Sequence, residues 1–141
     1  MEVKYSEAWL WSGELPVLSD LTWHAFEELK DISELQDQTY TEFQERVSKM
    51  LAEETRVEIY ARDSVTNKLV GGIIGAVIDD VHYGPCFSAR IQYVHPDARV
   101  AGVYKGLFKR FIAAAKSLDL KLYHTTHRLN EGVYIHKYRR I

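Results

Sequence analysis

Residues 91–107, IQYVHPDARVAGVYKGL, set the end of an apolar strand, a proline-containing turn and the glycine-marked start of a long helix in immediate succession. The spacing predicts a helix from about Ala101 to Leu118. Val103, Leu107, Phe111, Ala114 and Leu118 form one stripe, flanked by Phe108, Ile112 and Ala115, while Lys105, Lys109, Arg110 and Lys116 lie mostly elsewhere. A strand is expected at Leu120 to Thr125. A strand–helix–strand crossover of this length makes its two strands parallel, which restricts the chain to an α/β architecture.

The segments before the crossover have a different period. Val57, Ile59 and Ala61 alternate with Arg56, Glu58, Tyr60 and Arg62, the pattern of a half-buried strand. Leu69 to Ile78 reads as a second strand, in which Gly71, Gly72 and Gly75 point to bulges or close backbone approaches. Phe87 to Val94 reads as a third, and turns at 63–68 and 79–85 make the three an antiparallel meander. Upstream, Ser19 or Asp20 caps a helix running to about Ser33. A second helix is expected from about Thr41 to Ala52, with Thr39 and Glu42 at capping-box spacing and Phe43, Val47, Met50 and Leu51 on one face. Val3 to Trp11 is ambiguous and leaves room for a short strand. Leu129 to Ile141 reads as a short helix followed by a basic stub.

At 141 residues the chain is expected to be one domain, 1–141. Its single cysteine, Cys86, allows no internal disulfide and points to a reducing, cytoplasmic setting. The N-terminus has no apolar core of signal-peptide length, and the longest weakly charged run, Leu69 to Ile78, is half of what spans a bilayer, so no membrane association is expected. The net charge of −2 conceals an asymmetry: residues 1–98 hold eight Lys/Arg against eighteen Asp/Glu, whereas residues 99–141 hold ten against two. A basic segment after position 98 suits a polyanionic ligand, or simply attracts the acidic part within one domain.

The junction at 91–107 has the chemistry for such a ligand. The first amides of a helix have no internal partner, and that end carries partial positive charge, so a phosphate satisfies both. Gly102 removes a side chain where a ligand must come close, and Arg99 adds a charged donor. Many strand-to-helix turns carry a Gly and an Arg with no ligand.

Val94-His95-Pro96 and Arg99-Val100-Ala101-Gly102, opening a helix with an apolar stripe, resemble the acetyl-CoA motif of the GNAT (GCN5-related N-acetyltransferase) family. The element order over roughly residues 19–138 resembles it too, as does the brevity of short phage-encoded GNAT-like proteins. The resemblance implies a mixed central sheet, an antiparallel meander plus a parallel strand after the cofactor-binding helix, flanked by helices. It implies acetyl-CoA as co-substrate and transfer to the amine of a small molecule or protein by direct attack. Backbone amides around Gln92, Tyr93 and Val94 would face the thioester and pantetheine arm. Those of Val100, Ala101, Gly102, Val103 and Tyr104, with Arg99, would cradle the pyrophosphate. On a last helix Asn130 would serve the cofactor, and Tyr134 would protonate the leaving thiolate. The family's base is frequently a Glu near the central strands, but no Glu lies between Glu58 and Glu131.

The sequence departs from the family at Tyr104, where Gly or Ala is usual and where a phenol must point away from the phosphates. The spacing from Asn130 to Tyr134 is short, and the family's last hairpin is expected to be missing or reduced to Tyr138-Arg139-Arg140-Ile141. These departures leave a second reading: a GNAT-fold binding or regulatory protein with weakened catalysis, acting on a partner. The acidic first 98 residues suit a cationic acceptor. Trp9, Trp11 and Trp23 read as core or homodimer contacts. His124, His127 and His136 are not expected to form a metal site, because 124 and 127 point to opposite faces of a strand and no carboxylate or cysteine joins them. Ser88 and Cys86 lack a recognisable base partner, which argues against nucleophilic catalysis. The basic, aromatic tail 136–140 suits single-stranded nucleic acid, but it suits an exposed terminus equally well, and nucleic-acid binding is not expected.

Overall fold

The computed structural model describes residues 1–14, 37–130 and 132–141. They form one six-stranded mixed sheet in sequence order: β1 Val3–Leu10, β2 Arg56–Asp63, β3 Leu69–Asp80, β4 Gly84–Val94, β5 Leu122–Asn130 and β6 Val133–Arg140. Helix α1, Tyr40–Ala52, precedes β2. A short 3₁₀ helix, Pro96–Ala101, and helix α2, Val103–Ser117, carry the chain from β4 to β5. That pair of strands is parallel and every other neighbouring pair is antiparallel. The meander and the parallel crossover therefore stand as the sequence implies. The helix expected before residue 34 and Trp23 lie outside the described residues.

The two helices cover opposite faces. Val103, Leu107, Phe111, Ala114 and Ala115 of α2 are buried against Val57, Ile59, Ile73 and Phe87. Phe43, Val47 and Leu51 of α1 are buried against Tyr60, Leu69 and Ile74 on the other face. Met50, expected on that buried face, is 40% exposed. Thr39 caps α1 by accepting a 3.2 Å hydrogen bond from the Glu42 amide. At Gly75 a β-carbon would strike the Phe87 ring, so the missing side chain is what lets Phe87 lie across β3 and pack on Phe111, ring centroids 4.7 Å apart.

Other expectations fail as well. Helix α2 starts at Val103 rather than Ala101, because the turn after Pro96 closes as a 3₁₀ helix whose last residue precedes Gly102. The short terminal helix does not form either. Residues after Leu129 turn near Gly132 and return as β6 beside β5. Val133, Tyr134, Ile135 and Tyr138 are residues that pack well on a pleated surface, and Gly132 takes the left-handed backbone, φ 71°, that the hairpin turn requires. The terminal hairpin, expected to be missing or reduced to residues 138–141, is thus present. Its tip-distal end is tied to β3, where the Tyr138 hydroxyl donates to Asp80 Oδ2 at 2.7 Å.

Candidate active site

The site begins where the parallel pair comes apart. Strands β4 and β5 pair only at Phe87 with Tyr123 and Ser88 with His124. Two residues further on, the β3–β4 register shifts: Ile74 faces Ile91 and Gly75 faces Ala89, leaving Arg90 as an extra residue on β4. A bulge bends and twists its strand, and here β4 leaves β5 beyond it. The result is a V whose vertex is the Ser88–His124 pair and whose open end lies toward the start of α2.

At that open end the N-terminus of α2 is uncapped by any side chain. Gly102 adopts φ 69°, ψ 18°, and its backbone carbonyl accepts the first helical bond from the Gly106 amide, 3.2 Å. The amides of Val103, Tyr104 and Lys105 have no intrahelical acceptor by the geometry of the first turn. A 3₁₀ helix turns its own amides back on the chain three residues earlier, which draws Val100 and Ala101 away from the role of free donors that the motif suggests. No protein atom lies within 4 Å of a β-carbon built on Gly102. Its glycine character therefore answers a backbone requirement as well as the need for open space. Arg99 Nε donates to the Val94 carbonyl at 3.0 Å, and its guanidinium lies 5.7 Å from the centre of the Tyr93 ring, so both neighbours steer it along the end of β4. Val94 and Val103 are themselves buried in the core.

Tyr104 turns toward the sheet rather than outward. Its hydroxyl donates to Gln92 Oε1 at 2.9 Å, and Gln92 Nε2 donates to the Thr126 carbonyl at 3.1 Å. Burial, and then Tyr123, push the Tyr104 phenol above its ordinary value, which keeps it a donor. This Tyr104–Gln92–Thr126 bridge spans the gap between β4 and β5, with both ends of the Gln92 amide engaged.

A cleft of about 810 Å³ lies against the opening, walled by α1, β4, β5 and β6. Tyr134 lines it together with Gln92, Tyr93 and Arg99, so four of the sequence-predicted residues converge, although Tyr134 arrives on a strand, opposite Arg128, and not on a helix. Asn130 does not join them: it is exposed at the hairpin end, opposite Val133. The described walls carry Arg46, Arg90, Arg99 and Arg128 and no carboxylate, so the acidic balance of residues 1–98 is not expressed on them. Glu58, the nearest sequence candidate for a base, is fully buried and held 2.7 Å from Arg56 Nε.

Sequence reasoning named the groups at the vertex but found no partner for Ser88. Ser88 Oγ lies 2.8 Å from His124 Nδ1, and His124 Nε2 lies 2.8 Å from His136 Nδ1. Ser88 therefore does have an imidazole partner. The signal was the pairing register, which sets Ser88 beside His124 across the parallel ladder and which local spacing does not reveal. His124 is buried, whereas His127 on the opposite side of β5 is exposed. Burial, followed by the charges of His136 and Arg90, holds His124 below the usual imidazole range, and Asp80 offsets this in part. Cys86 is buried, and burial first and then the Asp80 and Asp79 charges raise its thiol, which makes it a poor nucleophile. Among the described residues no group of three or more His, Cys, Asp or Glu could hold a metal.

A meander, an uncapped crossover helix and a sheet that splays beside it define the GNAT acetyltransferase fold, and solved structures bear this out. An aminoglycoside acetyltransferase from an uncultured soil metagenomic sample superposes with a TM-score of 0.63 at 13% identity, over 93% of this chain and 83% of its own. A predicted acetyltransferase from Clostridium acetobutylicum, determined with acetyl-CoA, gives 0.63 at 19% identity, over 91% and 82%. The aminoglycoside 6'-N-acetyltransferase AAC(6')-IG from Acinetobacter haemolyticus gives 0.56 at 16% identity, over 93% and 82%. No protein-family model matches the sequence, and no curated protein is significantly similar to it.

Proposed function

We propose that the chain is, over residues 1–141, a cytoplasmic acetyltransferase domain that moves the acetyl group of acetyl-CoA to a primary amine by direct attack. The observation that carries this reading is the alignment of the V between β4 and β5 with the uncapped N-terminus of α2. A pyrophosphate at the amides of Gly102 to Lys105, with Arg99 beside it, would direct the pantetheine arm down the V, where the backbone of Gln92 to Val94 lacks a strand partner on the β5 side. The thioester would then lie near the vertex. A backbone amide of β4 would polarise its carbonyl, and binding both substrates side by side would supply most of the acceleration. Attack forms the C–N bond and breaks the C–S bond. Tyr134, in the adjoining cleft, is the donor we assign to the leaving thiolate.

Several of the structural neighbours are aminoglycoside acetyltransferases, which makes amino sugars the first acceptors to try, with polyamines and lysine-containing peptides beside them. The test is thiol release from acetyl-CoA against this panel. Amine-dependent release is expected, and its absence across the panel with acetyl-CoA bound would favour the second reading, a binding or regulatory protein on the same fold. One observation favours that alternative: the Tyr104–Gln92–Thr126 bridge lies across the opening that the pantetheine arm would use. Exposed Trp9 and Trp11, 49% and 73%, support a homodimer or partner contact at the far end of the sheet.

A further inference from the structure

The acetyltransferase reading leaves one chemical need unmet. A primary amine is protonated near neutral pH and must lose a proton before or during attack, and among the described residues the one glutamate on the central strands is locked to Arg56. We infer that His136, oriented by His124 and Ser88, accepts that proton. The inference rests on the proposed reaction and adds to it the group that makes the amine nucleophilic.

Four observations carry it. The first is position. Ser88 and His124 are the last paired residues before β4 and β5 separate, so they mark the vertex to which the V leads. His136 is the cross-strand partner of Thr126, one step out from the vertex, and Thr126 lines the cleft. The second is an exposure gradient. Ser88 is 0% exposed, His124 6%, and His136 is exposed, so the chain of contacts runs from the core to the surface and ends in a group that can meet an acceptor and return its proton to solvent.

The third is ring geometry. The two imidazoles are 8° from coplanar with centroids 5.1 Å apart, yet their nearest nitrogens are 2.8 Å apart. Centroids that far apart over so short a contact require the rings to meet edge to edge in nearly one plane. A proton shared between Nε2 of His124 and Nδ1 of His136 then lies in both ring planes, the direction in which an imidazole nitrogen donates or accepts. The fourth is protonation. Burial holds His124 below the usual imidazole range, with Ser88 at one nitrogen and His136 at the other. A base is most effective when a second group fixes its tautomer and stabilises its cation, the logic of every nucleophile–base–orienter constellation. When His136 takes a proton at Nε2, its Nδ1–H donates to His124 Nε2, and His124 Nδ1–H donates to Ser88 Oγ. The protons balance: the ammonium gives one proton to His136, the neutral amine attacks, and the second nitrogen proton leaves to solvent as the C–N bond forms and C–S breaks. The thiolate is protonated by Tyr134, which recovers its proton from solvent, and His136 releases its own, so that one proton is set free per amide formed.

The groups acting on His124 besides His136 are Arg90 from β4, Asp80 from β3 and Tyr138 from β6. Tyr138 packs 4.7 Å from the His124 ring and spends its hydroxyl on Asp80. None of the three hydrogen-bonds to His136 in place of His124.

The experiment uses the full chain, acetyl-CoA, and two small probes: n-propylamine, which is protonated at neutral pH, and hydroxylamine, which is largely unprotonated there. Thiol release is followed across pH for the wild type, His136→Gln and Ser88→Ala, with folding checked by circular dichroism and acetyl-CoA binding by calorimetry. His136→Gln should bind acetyl-CoA as the wild type does and lose about a hundredfold in kcat/KM toward n-propylamine. It should lose far less toward hydroxylamine and should lack the ionisation that shapes the wild-type pH profile. Ser88→Ala should shift that ionisation and lower the rate by less than His136→Gln does. A His136→Gln protein with unchanged propylamine transfer and pH profile overturns the inference, as does one that loses both probes equally. So does a wild type that binds acetyl-CoA yet transfers to neither probe, since a thioester and a base at the vertex would turn over so small an amine. Failure of the wild type to bind acetyl-CoA is the separate result that removes the acetyltransferase reading itself.

Discussion

At the scale of single residues, the least replaceable polar group in the described core is Arg56. Its Nε contacts Glu58, and its two terminal nitrogens donate to the carbonyls of Leu51, Glu54 and Glu14 at 2.6–3.0 Å. One side chain thereby joins the end of α1, the start of β2 and the segment after β1. Both side chains of the pair are fully buried, so removing either breaks a buried ion pair and takes away the opposite charge. Glu58→Ala should cost about 3–5 kcal/mol in urea unfolding, and a loss below about 1 kcal/mol would mean that Arg56 is satisfied by carbonyls alone. Tyr104→Phe makes a different point. It removes one net hydrogen bond, worth about 1 kcal/mol, and frees Gln92 from the bridge across the V. If the arm of acetyl-CoA must part that bridge, the variant should bind acetyl-CoA severalfold more tightly by calorimetry. Weaker binding would mean that the bridge is part of the binding surface.

At the scale of elements, the terminal hairpin shows what the sequence conceals. Residues 129–141 alternate imperfectly, and a strand there gains its identity from β5, against which Tyr138, His136 and Tyr134 pair with His124, Thr126 and Arg128. That pairing is non-local and has no signature within the segment itself, whereas α2 and the meander declare themselves through their own periods. The same holds for the vertex. The helix start beside Gly102 and Arg99 was legible because its pattern is local. Ser88, His124 and His136 are brought together by a register spanning 48 residues of sequence. The anchoring of β6 is itself testable. The hydrogen bond from Tyr138, joined by the His82 amide, holds the Asp80 carboxyl below its ordinary value, and Asp80 pushes the Tyr138 phenol up to about 12. The raised phenol contributes stability below its ordinary value near 10 and loses it as pH rises through about 12. The lowered carboxyl contributes above about 4 and loses it on further acidification. In an ultraviolet tyrosine titration, Asp80→Asn should return one late-ionising phenol toward the ordinary range. An unchanged titration would show that the bond does not persist in solution.

At the scale of the whole molecule, charge is distributed by fold rather than by position in the sequence. The acidic majority of residues 1–98 suggested a cationic acceptor, yet the described walls of the cleft carry four arginines, two of them, Arg46 and Arg90, from that same acidic part. Arg90 keeps Glu54 at 3.0 Å, which shows how acids in this region neutralise neighbours instead of forming a field. Sequence-wide totals therefore say little about the lining of this cleft, while the parallel crossover was a good guide to the fold. Among the described residues no helix is long and apolar enough to cross a membrane.

The account stands or falls on acetyl-CoA entering the V with its pyrophosphate at α2. The direct measurement is calorimetric titration of the protein with acetyl-CoA, run beside Gly102→Glu and Gly102→Ala. Because Gly102 has φ 69°, any side chain there strains the loop, and the alanine variant isolates that effect from the charge and bulk of glutamate. Micromolar binding by the wild type, weakened in Gly102→Ala and abolished in Gly102→Glu, is the predicted result. Binding that survives Gly102→Glu, or no binding by the wild type, would contradict it.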